Sequence, residues 1–186
     1  MKWIVAVLLC CSMALGQSPP KPAARLPEAL ASVLAEVKAK SHVEVLLPSK
    51  LSQPVAKAKY ATVDSASEDE YEISLYYELG AGDAGFAALF TANAHPAYGP
   101  KDLRNVDELK LARGLVGYFH PVSCGGSCAP ANIWWEENRI LYQIQLKLSP
   151  DLSENDQQKA MLATANSAIL AGPRWQFLEN PSPPLL

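Results

Sequence analysis

The stretch Tyr71-Glu72-Ile73-Ser74-Leu75-Tyr76-Tyr77-Glu78-Leu79 decides the fold class, because its side chains alternate with a period of two. Tyr71, Ile73, Leu75, Tyr77 and Leu79 point one way, while Glu72, Ser74, Tyr76 and Glu78 point the other. A strand with one face in a core and the other in water carries this pattern, and such strands belong to antiparallel sheets. The segment from Ile140 to Leu148 repeats it, with Ile140, Tyr142, Ile144, Leu146 and Leu148 opposed by Arg139, Gln143, Gln145 and Lys147.

Outward from the first strand, Gly80, Gly82 and Gly85 let the chain reverse, and Phe86 to Ala92 returns as its partner. Ala94 to Arg104 holds two prolines and a glycine and reads as a loop. Two hairpins follow, from Leu109 to Val122 with a turn near Arg113-Gly114, and from Ala131 to Leu148 with a turn at Glu137-Asn138. Upstream, Val43 to Leu47 is a short apolar run stopped by Pro48 and reads as a strand, and Val55 to Val63 as a further, weakly alternating one.

A helix opens this region, since Leu26, Leu30, Val33, Leu34 and Val37 recur at helical spacing and Pro27 suits the first turn. Another closes it. Ser153 and Asp156 resemble a capping box, Met161, Leu162, Ala165, Ala168 and Ile169 form an apolar stripe, and Gly172-Pro173 ends the run. The simplest architecture covering these faces is α+β, a meander of six or seven antiparallel strands with an N-terminal and a C-terminal helix packed on one face.

The start of the chain follows the export pattern. Lys2 precedes an apolar run from Trp3 to Leu15, and Ala14-Leu15-Gly16 supplies small residues for cleavage. The expected organisation is a signal peptide over residues 1–16, a flexible Pro-rich leader over 17–25, one α+β domain over 26–179 and a flexible tail over 180–186. No later stretch has the length and apolarity of a membrane span, so no transmembrane segment is expected after signal removal. Lys and Arg total 16 against 19 Asp and Glu, and no segment concentrates positive charge, which argues against nucleic acid as a partner.

Only Cys124 and Cys128 would survive signal removal, and in an oxidising compartment they are expected to form a disulfide stapling the Gly125-Gly126-Ser127 turn. Closing so short a loop is worth about 2 kcal/mol in the chain-entropy model. A thiol-redox or copper-carrying site is the alternative, because paired thiols cycle between dithiol and disulfide or take a soft metal. Strand pattern after Asn132, where such sites open a helix, and the lack of a Met or His cluster weigh against it. His42, His95 and His120 are scattered, and Glu68-Asp69-Glu70 lacks the spacing of a calcium loop, so no metal is expected. No phosphate-cradling or dinucleotide fingerprint and no nucleophile elbow is present, so no cofactor and no catalytic residue is assigned. A hydrolase built from residues distant in sequence is a further alternative.

Trp134 and Trp135 are adjacent in a strand and must point to opposite faces. One enters the core. The other, with Tyr76 and Tyr118, is the candidate binding surface, since aromatic anchors carry much of the energy of recognition; the alternative is a sheet covered on both faces.

Val43-Glu44-Val45-Leu46-Leu47-Pro48-Ser49, Ile133-Trp134-Trp135-Glu136 through Tyr142, and Ala165-Asn166-Ser167-Ala168-Ile169 together resemble an uncharacterised domain of exported bacterial proteins. The resemblance implies a bacterial source and transfers no catalytic residue. The expectation is a non-enzymatic domain, periplasmic or extracellular, that binds a protein partner or a small apolar ligand on its sheet.

Overall fold

The computed structural model describes residues 25–174. The expected signal peptide, the leader up to residue 24, the end of the domain from residue 175 and the tail lie outside the described residues.

The elements run α1 (Glu28–Lys40), β1 (Tyr60–Ser67), β2 (Glu70–Tyr76), β3 (Phe86–Asn93), β4 (Asp107–Lys110), β5 (Val116–His120), β6 (Ser123–Cys124), β7 (Cys128–Ala129), β8 (Ala131–Glu137), β9 (Ile140–Leu146) and α2 (Glu154–Ala171). The fold is α+β, with a seven-stranded antiparallel sheet in the order β1-β2-β3-β9-β8-β5-β4. This order corrects the meander. The chain lays down β1 to β3, crosses to the far edge for β4, and walks back through β5 and β8 until β9 closes against β3.

Hydrophobic pattern explains the closure. Ile73, Phe90, Ile144, Ile133 and Phe119 face one another across β2, β3, β9, β8 and β5, and all are buried. Tyr71, Ala92, Tyr142 and Trp135 form a second row, and Leu75, Ala88, Leu146 and Ala131 a third. Each buried Ile, Leu or Phe contributes about 1.5–3 kcal/mol. A one-residue slip of β9 would turn its whole set toward water, so the two halves of the sheet lock in a single register. We call this side the apolar face.

Val43–Leu47 is not a strand, although Val43, Val45, Leu46 and Leu47 are buried. Side chains rather than a ladder satisfy its backbone. The Tyr71 hydroxyl accepts from the Leu46 N–H at 3.2 Å, and the Tyr142 hydroxyl donates to the Glu44 carbonyl at 3.0 Å. The buried Arg174 guanidinium donates to the Leu47 carbonyl at 2.6 and 3.2 Å, and its backbone N–H reaches the Val45 carbonyl. Buried peptide groups must find partners, and these replace a neighbouring strand. The expected strand from Val55 is also corrected: residues 55–57 form a 3-10 turn, and β1 starts at Tyr60.

Leu30, Val33 and Val37 of α1, and Met161, Ala165 and Ile169 of α2, join the same core cluster as the apolar face. Glu28 in the first turn of α1 and Lys38 and Lys40 in its last complement the helix dipole. Ser153 caps α2 by accepting from the Asp156 N–H at 3.2 Å, and Gly172 ends it at φ 71°, a conformation that favours glycine. No helix among the described residues is long and apolar enough to cross a membrane.

Candidate functional site

The alternation that buries one face leaves the other lined with Glu70, Glu72, Thr91, Asn93, Gln143 and Trp134. In register, Glu72, Thr91, Gln143, Trp134 and Tyr118 form a row across β2, β3, β9, β8 and β5. This polar face is not bare. Because β3 and β4 are separated in the sheet by β9, β8 and β5, their connection has to cross those strands. Its 3-10 turn over Pro100–Asp102 rests against β8, and Pro96 to Tyr98 form one wall of a groove of about 550 Å³ whose floor is the part of that row from Glu72 to Trp134. That volume falls within the range of small-molecule sites.

Trp134 is half-buried in the groove, whereas Trp135 is 1% exposed and stacks on Tyr142 with ring centroids 5.3 Å apart. Trp135 is therefore a core residue and not part of a binding surface. Tyr118 lies opposite Trp134 in the β5–β8 ladder, on the polar face. Tyr76 sits at the end of β2, edge-on to Phe86 at 6.2 Å, away from the groove. Of the four aromatic residues singled out from the sequence, Tyr118 is Trp134's ladder neighbour but is buried and does not line the groove, so Trp134 alone of the four does.

Electrostatically the groove is one-sided. Among the described residues its lining includes Glu70 and Glu72 and no Lys, Arg or His. Glu70 accepts from the Asn93 amide at 3.0 Å. Glu72 has no hydrogen bond or ion pair among the described residues, and partial burial, then the charges of Asp64 and Glu70, hold its carboxyl above the ordinary value. Asp64 is placed beside them by a bulge between Val63 and Ser65, and its carboxylate accepts from Thr62 and Ser74.

Apart from Trp134, and Glu70 in the acidic run, the sequence marks these groove residues only as a wet strand face. The Glu72, Gln143 and Gln145 alternation was the available signal; the loop that turns that face into a groove left none.

Cys124 and Cys128 are joined by a disulfide, directly opposite each other in the exposed β6–β7 ribbon rather than at a helix start. Beside it lies a second hollow of about 540 Å³ lined by Phe86, Val122, Cys128, Pro130 and Leu148. His120 bonds the Pro121 carbonyl through Nδ1 at 2.7 Å, and His95 stands 3.8 Å from Asp69. Among the described residues no three His, Cys, Asp or Glu side chains group so as to hold a metal ion.

No family model, curated protein or solved structure matches this chain. The site stands on its own geometry.

Proposed function

We propose that this chain is an exported, non-enzymatic bacterial domain, periplasmic or extracellular, that holds a ligand or a segment of a protein partner in the groove between the polar sheet face and the β3–β4 connection. One observation carries it: of two adjacent tryptophans, Trp135 is consumed by the core while Trp134 is held at the floor of a groove under a crossing loop. An aromatic so placed is a ready anchor, since a large rigid surface becomes desolvated on contact at little entropic cost. We further infer that α1 and α2 both cover the apolar face, because Leu30, Val37, Met161 and Ile169 share its core, which leaves the polar face to the loop and solvent.

The amides of Gln143 and Asn93 and the Thr91 hydroxyl suit a ligand with polar groups, rather than the wholly apolar one suggested by aromatic content alone. The hollow beside Cys128, with Phe86, Val122 and Leu148, favours the apolar version as a second reading.

Native mass spectrometry of the protein purified from the cell that makes it tests both. A bound mass lost on Trp134→Ala supports the groove, and one lost on Phe86→Ala moves the site to the hollow. Bare protein without any co-purified species argues against ligand binding altogether.

A further inference from the structure

Resting on the groove as a binding site, we propose that its ligand is an elongated organic cation of the linear polyamine class, held by Glu72 and Glu70 at one end and by the Trp134 ring at the other. Charge complementarity is the first reason. Among the described residues the groove carries two carboxylates and no basic side chain, and the Glu72 carboxylate has no donor. Carboxylates gathered without a counter-charge repel one another, and a bound ammonium group converts that repulsion into attraction.

Shape is the second. Glu72 and Trp134 occupy the same ladder row but stand three strand spacings apart, about 14 Å. A point cation such as a metal ion cannot touch both. A chain of amines joined by methylene spacers can.

The lining between the ends agrees with such a ligand. Thr91 and Gln143 offer oxygen acceptors to the N–H groups of the chain, and Leu89 and Leu141 offer apolar surface to its methylenes. At the far end the indole face of Trp134 attracts an ammonium group, with the exposed Glu136 two residues further along β8 on the same side. A neutral sugar would also find an aromatic platform and amides here, but would leave the Glu72 and Glu70 charges uncompensated.

Isothermal titration calorimetry of the protein with spermidine, and in parallel with neutral maltotetraose, separates these outcomes. Saturable spermidine binding is expected, weakened at least tenfold by Glu72→Gln and at least fivefold by Trp134→Leu. It should also weaken as sodium chloride is raised, because the contacts are charge-based and partly exposed. Glu154→Gln, on the exposed start of α2, should leave affinity unchanged. Glu72→Gln relieves like-charge repulsion, so a binding loss in that variant is not a folding loss, and its melting temperature checks this.

No spermidine binding at millimolar concentration, or binding that ignores both Glu72→Gln and Trp134→Leu, overturns the proposal. If maltotetraose binds instead and Trp134→Leu abolishes it, the cationic ligand is wrong while the groove remains the site. If neither probe binds and the natively purified protein is bare, the groove itself is wrong as well.

Discussion

The two faces of this sheet are built from the same strands and obey opposite rules. On the apolar face every row is buried, and the two polar hydroxyls admitted there, those of Tyr71 and Tyr142, bond backbone of the Val43–Leu47 segment. On the polar face an aromatic, two carboxylates and a set of amides stand in a groove, and the carboxylate of Glu72 has no partner among the described residues. The contrast teaches how one alternation divides labour: the apolar face spends its side chains on packing, even leaving the Trp135 indole N–H without a hydrogen-bond partner among the described residues, whereas the polar face keeps charged and amide groups where a ligand can reach them.

The sharpest way to break the comparison is to truncate the neighbouring tryptophans separately. Trp135→Ala removes a fully buried ring stacked on Tyr142 and should cost about 3–5 kcal/mol in urea unfolding. Trp134→Ala should cost under about 1 kcal/mol by the same measurement, since its ring is only half-buried. Equal losses would mean that the groove is part of the core.

Arg174→Met tests the segment that takes the place of a strand. It leaves the buried Leu47 carbonyl without its charged donor, and a loss of about 2–3 kcal/mol is expected, read from the shift in urea midpoint. Tyr142→Phe removes one hydroxyl from the Glu44 carbonyl and should cost about 1 kcal/mol, with amide exchange quickening around residues 43–47.

The smallest effect has the opposite sign. Glu72 has its carboxyl held above the ordinary value in the folded chain, so its contribution to stability is full below the unfolded value and is lost as pH rises through the folded one. Glu72→Gln removes that loss. The variant should melt slightly above the wild type at neutral pH, and the two curves should converge below about pH 4. A melting difference that does not vary with pH would show that the carboxylate charge is not the cause.

Strands β2 and β9 were legible because their alternation is uninterrupted, and helix α2 because Ser153, Asp156 and Gly172 mark its ends with specific backbone chemistry. The Cys124–Cys128 pairing was legible from the two cysteines left once an expected signal peptide is set aside, read for an oxidising compartment. Val43–Leu47 misled because apolar β-branched residues report burial, not hydrogen-bond partners. Its partners Tyr71, Tyr142 and Arg174 are 25, 98 and 127 residues away in the chain.

By itself, the order of residues determined which side chains share a strand face, where α2 starts and stops, and that Trp134 and Trp135 must part company. These are local matters, settled within a few bonds by backbone geometry and side-chain period. Which tryptophan goes inward, and whether the polar face is bare sheet or a groove, was decided only when β9 docked between β3 and β8 and obliged the β3–β4 connection to pass over the strands between. That choice depends on matching apolar rows between strands far apart in the chain, and no local pattern encodes it.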